Sequence, residues 1–218
     1  MVRLKNRSAV HFGHVFDYTA NTISSTGGGE GNIEIQDSQL PPLITSLLPR
    51  LLPNYIPETP DQLTINRYDQ QAGDHIPLHV DTHSMCTDWL LSLSVNAPTV
   101  MTFTRDGGGE GRDDGSSKWK HLVHLPPRSA LLLRGESRYQ WRHAIAQTSL
   151  DVVPLRGSGN TCRLALSPRA RAQSTSITSS SIRYSFTLRK VTPPGYQCRC
   201  PYPQLCDVSG KGVSKIFY

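Results

Sequence analysis

The stretch from residue 183 to residue 189 reads Arg-Tyr-Ser-Phe-Thr-Leu-Arg and alternates between polar and apolar side chains. Side chains two apart in a β-strand share a face, so this pattern predicts a strand with one apolar and one polar face. The polar face carries Arg183 and Arg189 at its ends, about 20 Å apart at about 3.3 Å per residue. Because a guanidinium binds a carboxylate bidentately, this face could bracket a small dicarboxylate inside a polar barrel. An edge strand with a solvated face is the other interpretation.

Short strands dominate the rest of the chain as well. The 17 glycines and 16 prolines leave little room for long helices, and only residues 43–52, after a double proline, favour a helix of about two turns. We predict strands over residues 10–18, 63–68, 76–81, 89–95, 100–104, 119–125, 130–133, 139–144 and 182–191. The fold class is therefore mainly β with few helices, as a sandwich, jelly roll or barrel.

Three segments interrupt this pattern. We predict a loop over residues 19–40, a Gly-rich hairpin insertion over 105–118 and a flexible excursion over 157–181.

Composition excludes several classes of protein. The chain has 218 residues, enough for one globular domain, and a helical bundle is excluded by its glycine and proline content. No apolar run reaches the roughly 20 residues that span a bilayer, and the N-terminus lacks a signal-like apolar segment. We expect an intracellular protein, cytoplasmic or nuclear, with no membrane partner. The net charge of +6 suits a polyanionic partner but argues for one only weakly.

A His-x-Asp motif at residues 79–81 lies at the end of a predicted strand, where imidazole and carboxylate would project side by side. With a third ligand from a distant strand, for which His143 is the candidate, it would form the two-histidine, one-carboxylate face typical of non-haem Fe(II) oxygenases. Such a motif also arises by chance, and most surface histidines bind no metal.

Asn66 and Tyr68 lie two residues apart on another predicted strand and place an amide and a phenol on one face. In this order, Asn66-x-Tyr68, His79-x-Asp81, His143 and Arg183-x5-Arg189 resemble the AlkB family of Fe(II)/2-oxoglutarate dioxygenases. The resemblance implies a double-stranded β-helix of the jelly-roll, cupin-like kind. It also implies that His79, Asp81 and His143 bind iron. It assigns 2-oxoglutarate binding to Asn66, Tyr68, Arg183 and Arg189, with Arg183 at the distal carboxylate and Arg189 nearer the iron.

Three of the five cysteines crowd together at positions 198, 200 and 206. In an intracellular chain such a cluster indicates a metal before a disulfide, although free thiols on a tail are the alternative. Cys86, which stands alone, is more typical of a small buried hydrophobic residue.

The motifs around residues 76–83, 138–143 and 198–206 resemble one branch of the family, that of the eighth animal AlkB homologues, which hydroxylate a wobble uridine in tRNA. In that branch a structural zinc is bound by a set that maps onto His83, Cys198, Cys200 and Cys206. Four N/S ligands suit a closed tetrahedral zinc site. A continuing strand would point His83 at the iron, so the chain must turn near Thr82.

The resemblance implies a reaction in which 2-oxoglutarate and O2 are consumed and 5-methoxycarbonylmethyluridine is hydroxylated at its side-chain methylene. Two alternatives stay open: oxidative demethylation of N-alkylated bases in RNA or DNA, and a non-catalytic, zinc-stabilised nucleic-acid-binding module. A base must leave its stack to enter such a pocket. We expect basic rim residues to hold the phosphates of tRNA or another nucleic acid, unless they are simply solvated; the candidates are Lys5, Arg7, Arg138 and Arg142.

The resemblance also sets the domain organisation. We expect an AlkB-like dioxygenase domain over residues 1–192, lacking its first helix and strand, and a Cys-rich zinc-binding segment over 193–218. The family branch also carries an RNA-recognition motif and a methyltransferase, and no signature of either is found in this sequence. Three interpretations stay open: a fragment, a truncated gene model, or a stand-alone dioxygenase whose partners are separate RNA-binding and tRNA methyltransferase chains.

Overall fold

The computed structural model describes residues 1–17, 22–24, 35–37, 39–106, 118–147, 151–155, 163–167, 182–193 and 196–208. The early elements are β1 (Val2–Arg3), β2 (Ser8–Gly13), β3 (Val15–Asp17), β4 (Thr22–Ser24), β5 (Ile35–Asp37), α1 (Pro42–Leu51), β6 (Gln62–Asp69) and β7 (Ile76–His79). They are followed by β8 (Cys86–Asn96), β9 (Thr99–Asp106), β10 (Lys118–Leu125), β11 (Ser129–Arg134), α2 (Glu136–Tyr139), β12 (Arg142–Ile145), β13 (Asp151–Leu155), β14 (Arg163–Ser167) and β15 (Ile182–Val191).

Two antiparallel sheets form the core of the fold. The larger follows the order β1-β2-β6-β15-β8-β11, with β5 added parallel to β2, and the smaller follows the order β10-β9-β12-β7. Two separate ribbons, β3-β4 and β13-β14, complete the strands among the described residues. The prediction of a mainly β protein with few helices is confirmed. No helix in the described part of the chain is long and apolar enough to cross a membrane.

The two faces of the larger sheet differ in chemistry, as the alternation of β15 predicts. On the outer face, Leu63, Trp89 and Leu188 pack against Ile44 and Leu48 of α1. On the inner face, apolar residues of both sheets form a second core cluster, which contains Tyr68, Leu90, Met101, Phe103, Leu125, Leu133 and Ile145. The space between the two sheets is therefore filled by apolar side chains around this cluster, and it is lined by polar side chains along β15.

The register of β15 corrects one interpretation of its sequence. β15 pairs with β6 on one side and with β8 on the other, so it is a central strand and not an edge strand. Arg183, Ser185 and Thr187 on its polar face are all less than 10% exposed. Their polarity faces the interior, where a buried polar group requires a partner.

Several predicted boundaries were wrong. The strand predicted over 10–18 is split into β2 and β3, because Gly13 adopts φ +76° and His14 donates its backbone N–H to the Asp61 carbonyl. The strand predicted over 139–144 begins with the helical turn α2, so β12 starts only at Arg142. β7 ends at His79 and not at residue 81.

The predicted interruptions are partly replaced by strands. The 19–40 loop contains β4 and β5, and the 157–181 excursion contains β14, which pairs with β13. The hairpin predicted around 105–118 is confirmed by the pairing of Asp106 with Lys118. Residues 107–117 and the rest of the excursion lie outside the described residues.

Candidate active site

Three potential metal ligands meet on the inner face of the smaller sheet. His79 ends β7 and lies opposite His143 of the neighbouring β12, with ring centroids 4.3 Å apart. Asp81 follows His79 after the strand has ended and places its Oδ1 3.3 Å from His79 Nε2. All three side chains are buried, and their ligand atoms lie within 4.8 Å of one another. The structure thus brings together the three residues that the sequence singled out as iron ligands.

The protonation of the two histidines suits a metal site. His79 Nδ1 lies 2.7 Å from the carbonyl oxygen of Pro77, which can only accept, so Nδ1 carries the proton and Nε2 is free to act as a ligand. Burial, together with the nearby His79, lowers the pKa of His143 to about 3. His143 Nδ1 is buried with no hydrogen-bond partner among the described residues. Two imidazoles beside a carboxylate are a donor set for a divalent transition metal.

The Asp81 carboxylate is held in its ionised form. Burial opposes its charge, but Arg189 donates to Oδ2 from Nη2 at 2.8 Å and from Nε at 3.2 Å. The guanidinium and the two histidines together keep the pKa of Asp81 well below its usual range. The charge required for metal binding is therefore present before any cation arrives.

Arg183 offers unused hydrogen-bond donors to the same interior. Its side chain is 1% exposed, and its Nε donates to Ser94 Oγ at 2.8 Å. Nη1 and Nη2 are buried without a hydrogen-bond partner among the described residues, and the guanidinium lies over the Tyr68 ring at 5.3 Å. Burial lowers the pKa of Arg183 from its ordinary value. Such a cation needs an anion, and a carboxylate fits its two parallel donors.

Asn66 is fixed by an arginine that the sequence placed elsewhere. Arg7 Nε donates to Asn66 Oδ1 at 2.8 Å, and both side chains are less than 10% exposed. Arg7 is therefore an internal residue, and its prediction as a rim residue was wrong. The contact turns the amide so that its oxygen is occupied and its nitrogen remains available as a donor.

These groups line one cleft of about 470 Å³, a volume that includes its opening to solvent. We call His79, Asp81 and His143 the metal-type cluster. This cluster and Arg183 line the same cleft, together with Asn66 and Tyr68.

Small hydroxyl side chains on neighbouring strands also line the cleft: Ser92, Ser185 and Thr187. The alternation of the last strand predicted Ser185 and Thr187 on its polar face, whereas the role of Ser92 was missed. The alternation Leu91-Ser-Leu-Ser94 in β8 is the signal that could have found it, because it mirrors the polar alternation of β15.

A second cluster forms close to the first. Cys198, Cys200 and Cys206 have no disulfide bonds and lie with His83 so that their ligand atoms are within 4.8 Å of one another. His83 Nδ1 is 3.1 Å from Cys200 Sγ. Burial, with the neighbouring thiols, raises the pKa of Cys198 to about 12, so a cation would be needed to hold these sulfurs as thiolates.

The turn predicted near Thr82 is what separates the clusters. β7 has ended at His79, and the Asp207 carboxylate accepts the backbone N–H groups of His83 and Ser84 at 2.9 and 3.1 Å. This contact ties the turn to the C-terminal segment that carries the cysteines. Five consecutive residues, 79–83, thus supply two members of the first cluster and one of the second.

Arg138 lies between the clusters and is 2% exposed. It donates at 2.8 Å to the backbone carbonyls of both Asp81 and Thr82, and from Nη2 to Cys86 Sγ at 3.0 Å. Its prediction as a phosphate-binding rim residue was therefore wrong. Cys86 is fully buried, as predicted, but it also accepts this hydrogen bond.

Of the remaining rim candidates, Lys5 is exposed, whereas Arg142 is partly buried and pairs with Asp106 at 2.9 Å.

Comparison with known proteins gives a consistent result. A model of the 2OG-Fe(II) oxygenase superfamily matches residues 29–189. Mouse "tRNA (carboxymethyluridine(34)-5-O)-methyltransferase ALKBH8" is 35% identical over 96% of this chain and 28% of its own length. The Xenopus tropicalis protein of the same name is 36% identical over 94% of this chain and 29% of its own length. The "Alkylated DNA repair protein ALKBH8 homolog" of Arabidopsis thaliana is 34% identical over 94% of this chain and 55% of its own length. The chain spans under a third of the two vertebrate relatives and about half of the plant relative.

Proposed function

This chain belongs to the 2OG-Fe(II) oxygenase superfamily and is an AlkB-type dioxygenase, and we propose that it hydroxylates 5-methoxycarbonylmethyluridine at the wobble position of tRNA. The observation that carries the substrate is the match of nearly the whole chain to vertebrate relatives whose names specify a carboxymethyluridine at position 34 of tRNA. The site supports the reaction type, because a buried His79-Asp81-His143 cluster and the unpaired donors of Arg183 open into one cleft.

The residues present fit the cofactors that the family implies. The chemistry of the donor set suits Fe(II), which His79, Asp81 and His143 would hold, and the orphaned Nη donors of Arg183 suit a carboxylate of 2-oxoglutarate. When bound, Fe(II) and 2-oxoglutarate supply the oxidation: one atom of O2 enters succinate as CO2 is lost, and the other enters a C–H bond of the substrate.

The protein's own contribution is binding, orientation and the exclusion of water. Arg183, whose guanidinium lies over the Tyr68 ring, would bind the distal carboxylate of the cosubstrate. The Asn66 amide, held by Arg7, and the Tyr68 phenol would donate to its other oxygens. Arg189 keeps Asp81 ionised and fixes its orientation. The apolar cluster around Met101 and Ile145 keeps this part of the interior dry, which strengthens each of these polar contacts.

The second cluster is proposed to hold a structural zinc through His83, Cys198, Cys200 and Cys206. Three thiols and an imidazole are the ligand chemistry of closed zinc sites, and burial raises the pKa of the Cys198 thiol, an effect that a bound cation would offset. Residues 193–218 would then form a zinc-binding segment, and residues 1–192 a dioxygenase domain. That domain would have the double-stranded β-helix architecture, which the two antiparallel sheets support.

The proposed partners follow from the same relatives. We propose a tRNA substrate and, because the two vertebrate relatives are named as tRNA methyltransferases, a tRNA methyltransferase activity that acts on the same nucleoside. We place such a reaction in the cytoplasm or the nucleus, where tRNA is found.

One alternative substrate has specific support. The Arabidopsis relative carries "Alkylated DNA repair protein" in its name, which favours oxidative demethylation of N-alkylated bases. Both reactions would use the same iron and cosubstrate residues, so the fold does not separate them. A non-catalytic nucleic-acid-binding module has no such support, because the family is one of oxygenases.

The deciding experiment is nucleoside mass spectrometry. The iron-loaded protein is incubated with 2-oxoglutarate, O2 and tRNA that carries 5-methoxycarbonylmethyluridine, beside RNA and DNA that carry N-methylated bases. Gain of one oxygen on the modified uridine supports the proposal, whereas loss of a methyl group from the alkylated bases alone supports the alternative.

His143→Ala serves as the inactive variant, and His124→Ala, a partly buried histidine of β10 outside the cluster, serves as its matched control. We expect product only with the wild type and His124→Ala. Full turnover by His143→Ala would overturn the iron assignment.

A further inference from the structure

A row of rings crosses the smaller sheet beside the metal-type cluster. Phe103 of β9 pairs with His143 of β12 on one side and with His121 of β10 on the other. Phe103 and His143 are buried, and their ring centroids are 5.9 Å apart. Directly paired residues of an antiparallel sheet project on the same side, so His121 shares the inner face with the metal-type cluster.

A second row lies two residues further along the strands. Trp119 pairs with Arg105, and alternation places both on the same inner face as His121 and Phe103. The Arg105 guanidinium lies over the Trp141 ring at 5.1 Å, and the Trp141 ring is 5.1 Å from that of His121. We call Trp119, Arg105, Trp141 and His121 the outer ring cluster.

Trp141 is partly buried and packs against the hydrophobic core, whereas Trp119 and His121 lie outside it. Trp119 is 54% exposed and His121 is exposed, whereas Met101 and Phe103, further along β9, are buried. Arg105 forms an ion pair with Glu136, which fixes the guanidinium over Trp141. Exposed flat rings and a guanidinium plane are the surfaces on which unpaired nucleobases stack, and here only Phe103 separates His121 from His143 across the sheet.

The position of the outer ring cluster selects which base it would meet. Trp119 lies two strands away from His143, at about 4.8 Å per strand, and two residues further along, at about 3.3 Å per residue, so the two residues are about 12 Å apart. A nucleobase whose reactive atom lies at the His79-Asp81-His143 cluster therefore cannot also cover Trp119. A neighbouring nucleotide of the same single strand can reach it.

We infer that Trp119, with His121 and Trp141 beside it, is a stacking platform for a nucleobase adjacent to the target nucleotide in single-stranded RNA. The inference rests on the proposed function and adds to it the residues that recognise the flanking base. A protein-docking patch is a weaker interpretation, because Phe103 connects the outer ring cluster to His143 on the same inner face of the sheet. The platform also explains why the apolar face of β9 and β10 ends in rings and a guanidinium.

The test uses the protein's own tryptophans. The chain has three, and Trp89 is 1% exposed and donates to Glu58, so a bound base can stack only on Trp119 or Trp141. The holoprotein is kept under nitrogen, so that no turnover occurs, in the presence of 2-oxoglutarate. An anticodon stem-loop that carries the modified uridine is then added in steps. We expect quenching of the fluorescence of the wild type on binding.

Three variants separate stacking from folding. Trp119→Ala should bind the stem-loop about 5- to 150-fold more weakly, the range for loss of one stacked base. Trp119→Tyr, which keeps a ring, should recover most of the affinity. Leu122→Ala removes a 45% exposed side chain from the opposite face of the same strand and should bind within twofold of the wild type. All three should keep the rise in Tm that 2-oxoglutarate gives the metal-loaded wild type.

The outcomes also separate this inference from the proposed function. If the wild type binds and hydroxylates the stem-loop and Trp119→Ala does so equally well, the platform is overturned and the reaction stands. If the wild type neither binds nor oxidises the stem-loop, the proposed tRNA substrate fails and the platform fails with it. Weaker binding by Trp119→Ala that Trp119→Tyr restores supports both.

Discussion

Arg189 donates two hydrogen bonds to one oxygen of Asp81, from Nη2 at 2.8 Å and from Nε at 3.2 Å. The other carboxylate oxygen, Oδ1, lies 3.3 Å from Nε2 of His79. One oxygen of the Asp81 carboxylate therefore accepts from Arg189, and the other faces the two histidines of the metal-type cluster. Orientation of a ligand by its own hydrogen-bond partner is a general way of tuning a metal site.

We predict that Arg189→Met lowers the affinity for Fe(II), or for Co(II) as its stand-in, by about 10- to 100-fold, the usual effect of losing the partner of a ligand. The measurement is a metal titration followed by absorbance or calorimetry. Lys190→Met is the matched control, because the neighbouring Lys190 pairs with Asp61 in a partly exposed ion pair that contributes little. Equal metal affinity in Arg189→Met and Lys190→Met would show that Asp81 needs no orientation.

A second prediction concerns the unpaired guanidinium of Arg183. A buried cation with two unused Nη donors costs free energy in the ligand-free protein. Arg183→Met should therefore raise the free energy of unfolding without cosubstrate, by about 1–3 kcal/mol. It should also abolish the stabilisation that 2-oxoglutarate gives the metal-loaded wild type.

Urea denaturation with and without 2-oxoglutarate measures both effects. Arg134→Met, which removes an exposed arginine at the end of β11, is the control and should change neither quantity by more than about 0.5 kcal/mol. If Arg183→Met destabilises the ligand-free protein and still responds to 2-oxoglutarate, Arg183 is not the carboxylate-binding residue.

The residues that line the cleft were predicted from the sequence more accurately than the buried arginines that support it. Alternation in a single strand was enough to place Arg183 and Arg189 on one polar face, since a period of two is a local property. The roles of Arg7 and Arg138 were missed, because a basic residue in a loop or short helix is usually solvated and only tertiary packing buries it. Both ended as internal arginines that hold a neighbouring group, Asn66 in one case and the carbonyls at 81 and 82 in the other.

Strand boundaries failed for a related reason. The pattern around residues 10–18 has the composition of one strand, but the left-handed conformation of Gly13 and its close approach to Asp61 end β2 there. A Cβ at position 13 would lie 2.0 Å from the Asp61 carbonyl oxygen, a constraint that depends on a residue 48 positions away. No local pattern carries that information.

A third prediction concerns pH and the partly buried His11, whose Nδ1 lies 3.1 Å from Thr64 Oγ1. Burial, with the positive charges of Arg189 and Arg7, lowers the pKa of His11 to about 4. In the unfolded chain its pKa is near 6.5, so between these values the unfolded state binds the extra proton. The contribution of His11 to the free energy of unfolding is therefore fully present above about pH 6.5. It is lost as the pH is lowered towards 4, and the total loss is about 3 kcal/mol.

His11→Gln cannot take up that proton. We expect the free energy of unfolding of the wild type to fall more steeply between pH 6.5 and 4 than that of the variant, by up to about 1.4 kcal/mol per pH unit. Urea denaturation at a series of pH values gives the difference. Parallel curves for the two proteins would mean that His11 is protonated as readily in the folded state as in the unfolded one.

The last prediction concerns communication between the two clusters through Arg138. Its guanidinium holds the carbonyls of Asp81 and Thr82, which lie between a residue of the first cluster and His83 of the second. A change that releases His83 should therefore loosen Asp81. We predict that Cys206→Ser, which removes a proposed zinc ligand, lowers zinc content and Tm and also lowers Co(II) affinity at the first cluster.

Arg138→Met tests the connection directly. If Arg138 carries the coupling, Arg138→Met should lower Co(II) affinity on its own, and adding Cys206→Ser should lower it by less than the product of the two single effects. Serial titrations with zinc and then Co(II), read by the Co(II) absorbance of each site, measure these quantities. Arg142→Met, whose ion pair with Asp106 lies near the surface, is the control. If the effects of Arg138→Met and Cys206→Ser simply multiply, Arg138 does not carry the coupling and serves only to fill the interior behind the turn.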